Sequence, residues 1–196
     1  MRIVLLGPPG SGKGTQAARL VEALELPHIS TGVLLRAAVE AGSDLGRAAK
    51  AVMDRGELVS DDIMLGLIEE RLGEDDVRAG FILDGYPRNL TQARALDELL
   101  ERLEQPVQDA LLIDVNEEEV VHRIAGRAAE EGRSDDSEDV VRNRLRVYTE
   151  QTAPVVDFYA AKGVLTRILG EGSVDEVFQR IMGALKARES GASTPA

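Results

Sequence analysis

The first sixteen residues, MRIVLLGPPGSGKGTQ, restrict the fold more than any other stretch of the chain. An apolar run, Ile3 to Leu6, reads as a fully buried strand. It flows into Gly7-Pro8-Pro9-Gly10-Ser11-Gly12-Lys13-Gly14, and after Lys13 apolar residues recur at helical spacing (Ala17, Leu20, Val21, Leu24). Strand, glycine-rich turn and helix, with the spacing G-x-x-x-x-G-K, make an anion cradle. The glycines let successive backbone N–H groups curl inward, and the helix adds the positive end of its dipole. Lys13 then reaches toward terminal phosphates. Gly14 stands where a hydroxyl residue commonly follows the lysine, and the hydroxyl is displaced to Thr15.

Further strands are expected at His28-Ile29, Phe81 to Gly85, Ala110 to Val115 and Val164 to Ile168. Between them, helical patterns cover about 33–41, 44–54, 60–72, 88–103, 117–126, 138–151, 154–162 and 174–188. Ser30-Thr31-Gly32 is suited to cap the helix that follows it. Residues 128–138 (AAEEGRSDDSE) carry no periodicity and are expected to be a mobile surface loop. The small, polar end, ESGASTPA (189–196), is expected to be disordered. Buried strands alternating with helices imply an α/β fold, a parallel sheet with helices on both faces. With 196 residues the chain suits a single core. Ligands of such sheets bind beyond the carboxyl ends of the strands, where both the opening loop and Asp84-Gly85 fall.

The net charge of −12 argues against a nucleic-acid partner but not against a small anion, which responds to local charge. No apolar run is long enough to suggest a membrane span. The chain has no cysteine, so disulfides and thiolate metal sites are excluded. A reducing, cytoplasmic setting fits.

A bound phosphate needs something to receive its phosphoryl group. A hydrolase requires a water-positioning residue, whereas a kinase requires a second anion site facing the first. The arginines suggest the second: Arg36 after STG, Arg88 in DGYPR, then Arg123, Arg127, Arg133 and Arg144. Guanidinium binds phosphate oxygens in pairs and stays charged. A single arginine is ordinarily a solvated residue on a helix face. That reading weakens for Arg88, which follows a strand, a glycine and a proline, and for Arg127 and Arg133, which flank the unpatterned loop. Asp84 is a candidate magnesium contact, acting through water because Mg²⁺ keeps several waters; the alternative is a helix N-cap carboxylate.

GPPGSGKGTQ, HISTG with LLR, GELVSDD, FILDGYPRN with a later Gln, RIAGR with GRSDD, and RNRLRVY occur in that order from Met1 to about Ala187. Together they resemble adenylate kinase. The resemblance implies a P-loop NTPase-like, five-stranded parallel sheet with mobile monophosphate-binding and lid segments. The core would comprise 1–29, 60–125 and 137–188, the flap 30–59 and a short lid 126–136. The implied reaction is MgATP + AMP ⇌ 2 ADP, run by a cytoplasmic monomer with Mg²⁺ and no structural zinc. A related nucleoside-monophosphate kinase with another acceptor base, or a nucleotide-binding protein whose catalytic set has decayed, remain as alternatives.

By position, the resemblance assigns the ATP phosphates to Gly10, Ser11, Gly12, Lys13, Gly14 and Thr15, with Arg123, Arg127 and Gly172 serving the rest of ATP. It assigns AMP to Thr31, Arg36, Glu57, Leu58, Val59, Gly85, Tyr86, Pro87, Arg88 and Gln92, with Arg133 and Arg144 reaching its phosphate. Lys13, Arg88, Arg127, Arg133 and Arg144 would surround the transferring group. The hydroxyl of Thr31 and the two-sided amide of Gln92 suit an adenine edge; an exposed helical Gln92 is the plainer reading. Asp135 and Asp136 match an acidic pair that would orient lid arginines; an exposed, purely solvating pair is the alternative. One departure stands out: the family has aspartate after STG, and this chain has Val33. Valine cannot accept a hydrogen bond, so the orientation of the flap or of Arg88 is expected to differ, with some loss of activity.

Overall fold

The computed structural model describes residues 1–131 and 137–190; at 45, 125–131 and 138 only the backbone is described. Five parallel strands form one sheet in the order β2-β3-β1-β4-β5: β1 (Arg2–Leu6), β2 (His28–Ser30), β3 (Phe81–Asp84), β4 (Asp109–Asp114) and β5 (Leu165–Leu169). The helices are α1 (Lys13–Leu24), α2 (Thr31–Glu40), α3 (Asp44–Met53), α4 (Asp61–Leu72), α5 (Leu90–Arg102), α6 (Glu117–Glu131), α7 (Glu138–Val147), α8 (Ala153–Ala161) and α9 (Val174–Glu189).

Alternation along the strands divides the core into two layers. Val4, Leu6, Phe81, Leu83, Ala110 and Leu112 face α4, α5 and α8. Ile3, Leu5, Ile82, Leu111 and Ile113 face α1, α6 and α9. Apolar residues at consecutive strand positions therefore mean burial on both faces, as expected for a parallel sheet wrapped by helices. β5 alternates buried with exposed positions, and Leu169 is 56% exposed.

Register positions the functional ends. Leu5 of β1 pairs with Asp84 of β3, and Asp84 pairs with Ser30 of β2. The chain crosses from β1 to β2 and β3 on one side and to β4 and β5 on the other. The carboxyl ends of β1, β2 and β3 thus open side by side at the point where the strand order reverses.

Several sequence expectations need correction. α6 continues to Glu131, through the first part of the segment expected to be an unpatterned loop from 128. Ala128, Ala129, Glu130 and Glu131 are strong helix formers, and propensity extends the helix where no apolar face demands it. The remainder of that loop, with Arg133, Asp135 and Asp136, lies outside the described residues. Helices expected at 138–151 and 154–162 are joined by a π-helical turn, Tyr148–Thr152, instead of a break. Ser30 occupies the N-cap of α2 but makes no side-chain capping bond. β5 sits one residue later than expected, and β3 ends at Asp84, before Gly85. α9 reaches Glu189, one residue into the expected tail; residues from 191 lie outside the described part.

Candidate active site

A cleft of about 690 Å³ opens at the carboxyl edge of the sheet. Its walls join residues that are far apart in the chain: the opening loop, the start of α2, residues 56–59, the loop after β3, and Arg123, Arg144 and Thr152. Among the described residues five cationic side chains line it, Lys13, Arg36, Arg88, Arg123 and Arg144, against the carboxylates of Glu57 and Asp84. In an acidic chain this is a local reversal of sign, as an anion site requires.

The loop after β1 is shaped by glycine where no other residue fits. Gly10 has φ +82°, and a Cβ there would meet Ile124 Cγ1 at 2.6 Å. Lys13, the first residue of α1, folds back over the loop. Its Nζ donates to the carbonyls of Gly7 (2.7 Å) and Pro8 (2.9 Å) and to Ser11 Oγ (3.4 Å). Gly12, Gly14 and the exposed Thr15 line the cleft. A Cβ at Gly14 would lie 3.9 Å from Asp84 Oδ2, so sterics do not exclude a side chain there.

Asp84 is only 9% exposed, and His28 Nε2 stands 3.6 Å from its Oδ2. Burial alone would raise its pKa. The nearby His28 imidazole and the charges of Lys13 and Arg88 outweigh that and hold the carboxyl below its ordinary value. It does not cap a helix, because Asn89 caps α5 by accepting from the Gln92 N–H at 2.8 Å. A buried, ionised carboxylate beside the phosphate loop fits the outer coordination of a nucleotide-bound magnesium. Among the described residues no group of three or more His, Asp or Glu converges to hold a metal by itself.

The opposite wall forms after β3. Gly85 has φ +80°, and a Cβ there would meet Thr31 Oγ1 at 2.7 Å. That close approach lets the Thr31 hydroxyl donate to the Gly85 carbonyl at 2.9 Å. Thr31 is fully buried and its proton is thereby committed. Arg88 Nε donates to the same carbonyl at 2.7 Å, and the Arg88 carbonyl accepts from Thr152 Oγ1 at 2.7 Å. Gln92 is 2% exposed, which removes the reading of a solvated helical residue. Tyr86 and Pro87 also line the cleft; the Tyr86 hydroxyl is buried without a hydrogen-bond partner among the described residues.

Arg36 folds over Gly32. Leu58 and Val59 line the cleft beside Glu57, whose carboxylate is exposed and paired with Arg55 at 2.8 Å. The Arg55 hydrogen bond holds the Glu57 carboxyl below its ordinary value. Arg123 bridges two loops: Nε donates to Glu119 (2.8 Å), Nη1 to the Ser11 carbonyl (3.4 Å) and Nη2 to the Gly170 carbonyl (3.0 Å). Gly172 has φ +103° on the loop before α9 and does not line the cleft. The backbone of Arg127 is in α6 while its side chain, like all of Arg133, is outside the described part. Val33 lines the cleft while remaining 55% exposed.

Sequence reasoning missed His28, Asp61, Asn89 and Thr152. Asp61 and Asn89 belong to the quoted motifs GELVSDD and FILDGYPRN, which marked their neighbourhood but not their roles. Thr152, in EQTAPV, had no signal at all, because its contact with Arg88 spans 64 positions.

A family model described as adenylate kinase matches residues 5–164 of the chain. Among curated proteins, the adenylate kinase of Stenotrophomonas maltophilia strain R551-3 is 62% identical over 186 residues, which is 95% of this chain and 100% of that protein. That of Stenotrophomonas maltophilia strain K279a is 60% identical over 187 residues, again 95% and 100%. That of Xanthomonas euvesicatoria pv. vesicatoria strain 85-10 is 62% identical over 185 residues, 94% and 99%.

Proposed function

The chain belongs to the adenylate kinase family and transfers a phosphoryl group between ATP and AMP, and we propose that the cleft described above performs this transfer with the following division of labour. The opening loop, Gly10 to Thr15, holds the ATP phosphates. Arg123 lies against the adenine of ATP, and Gly172, on the loop outside the cleft, would offer backbone to that base. The AMP phosphate meets Arg36 and Arg88, while Thr31, Gly85 and Gln92 meet its base and Glu57 to Val59, Tyr86 and Pro87 close around it. The observation that carries this reading is the pairing of Leu5 with Asp84: adjacent strand ends aim the phosphate loop and the Gly85–Arg88 wall into one space.

Phosphoryl transfer asks the protein for positioning and charge stabilisation more than for covalent chemistry. Lys13, Arg88 and Arg144, joined by Arg127 and Arg133, would surround the three equatorial oxygens as one bond to phosphorus breaks and another forms. The AMP phosphate is the nucleophile and is already ionised, so no general base is needed. Lys13 leaves the loop carbonyls for the transferring oxygens. When bound with ATP, magnesium neutralises phosphate charge; Asp84 would hold its coordination waters, and no cysteine is present for a structural zinc. The flap (30–59) and lid (126–136) would close to exclude water, which otherwise competes as acceptor. The family resemblance implies a monomer, and no helix among the described residues is long and apolar enough to cross a membrane.

The test is a coupled assay of ADP formation from MgATP with AMP, UMP, CMP or GMP as acceptor. AMP should be strongly preferred, and Lys13→Ala should lower kcat by about 10²–10³-fold, the size of losing one transition-state donor. Stimulation by no acceptor, or a Lys13→Ala variant with unchanged kcat, would refute this assignment.

A further inference from the structure

Gln92 is the AMP-base contact in the proposal above, and an amide reads a base only if its two ends are told apart. Its Oε1 accepts from the backbone N–H of Arg88 at 2.7 Å, and its Nε2 donates to Asp61 Oδ1 at 2.8 Å. Both partners are one-way groups. A backbone N–H only donates, and a carboxylate only accepts. Flipping the amide would set N–H against N–H at Arg88 and oxygen against a carboxylate at Asp61. Asp61 is itself fixed, because the same Oδ1 accepts from Asn89 Nδ2 at 2.9 Å. Asn89 in turn holds the Gln92 backbone N–H through its Oδ1.

The bonds leave one Nε2–H and one Oε1 lone pair for a ligand. The edge of a 6-aminopurine offers an acceptor at N1 and a donor at the 6-position. A 6-oxopurine offers the reverse: a donor at N1 and an acceptor at the 6-position. A Gln92 free to flip could serve either edge.

Resting on the AMP reading, we infer that Asp61 is a specificity-positioning residue: from the first turn of α4 it fixes the Gln92 amide in one orientation, so that the site accepts 6-aminopurine and rejects 6-oxopurine monophosphates. The contact joins elements 31 positions apart and commits the Gln92 amide before any base arrives.

The test compares AMP with inosine monophosphate, which differs at the purine edge, in wild type and Asp61→Asn. The asparagine is nearly isosteric, and its own NH₂ can face a flipped Gln92 oxygen. The AMP-to-inosine-monophosphate ratio of kcat/KM should fall by about tenfold, the scale of one buried hydrogen-bond mismatch. KM for ATP, and kcat at saturating AMP, should stay near wild type. Asn89→Ser keeps an oxygen to cap α5 but removes the amide NH₂ that donates to Asp61, and should move the ratio less, in the same direction. It carries the test if Asp61→Asn does not fold. An equal loss with both acceptors, leaving the ratio unchanged, would show a merely structural Asp61 and overturn the inference. A wild type with no preference for AMP would instead overturn the AMP reading on which the inference rests.

Discussion

Val33 shows what a single position can alter. It lines the cleft three residues before Arg36, on the same helical face, yet offers only methyl groups and stands 55% exposed. Arg88 and Arg36 line the same cleft; Arg88 Nε donates to the Gly85 carbonyl and Arg36 lies over Gly32. Introducing Val33→Asp should raise kcat/KM for AMP by about two- to fivefold, the size of a partly exposed charge pairing. Steady-state kinetics with AMP as the varied substrate checks this, and an unchanged kcat/KM removes any role for the lost carboxylate. Asp84 illustrates the opposite case, in which burial would neutralise a carboxyl but neighbouring cations keep it ionised.

Among the elements, α9 has the most complete local signal. Ser173 caps its first turn by accepting from the Glu176 N–H, and the Glu176 carboxylate accepts from the Ser173 N–H at 2.8 Å. The Ser173 backbone and hydroxyl bonds hold the Glu176 carboxyl below its ordinary value near 4.5. A carboxyl with a depressed folded-state pKa contributes stability that is present above its unfolded value and lost as pH falls through the folded one. Glu176→Ala should therefore lower Tm at neutral pH, and the gap from wild type should shrink steadily below about pH 4.5. Thermal melts at several pH values measure it; a gap that does not depend on pH would mean the carboxylate charge is irrelevant to the cap. α2 shows a weaker correspondence, because its apparent cap residues, Ser30 and Thr31, make no capping bond and Thr31 turns to Gly85 instead.

At the scale of the whole molecule, we propose a fixed sheet and a flap that closes on it. α2 and α3 pack on each other, and Gly56, just beyond α3, approaches Val140 and Arg144 on α7. If 30–59 closes over AMP, amide hydrogen exchange in α2 and α3 should slow when AMP is added alone, while α9 stays unchanged. Exchange mass spectrometry on the intact chain reads both regions at once. Protection spread evenly over the molecule, or absent from 30–59, would argue against a separate flap.

The sequence by itself determined the elements and the kind of chemistry. Contiguous apolar strands can be buried only between two layers of helices, and G-x-x-x-x-G-K between a strand and a helix curls backbone amides around an anion. Both signals are local, so they survive without knowledge of partners. The end of α6 is not legible in the pattern because Ala128 to Glu131 are helix formers without an apolar face, and periodicity is silent there. Only the tertiary structure decided which polar groups meet. Leu5 and Asp84 become neighbours through strand register, Thr152 reaches Arg88 through the turn joining α7 to α8, and Asp61 takes hold of Gln92 because α4 and α5 begin side by side. These bonds are one-way and short-ranged, whereas the residues that make them are tens of positions apart; no spacing rule along the chain encodes such a meeting.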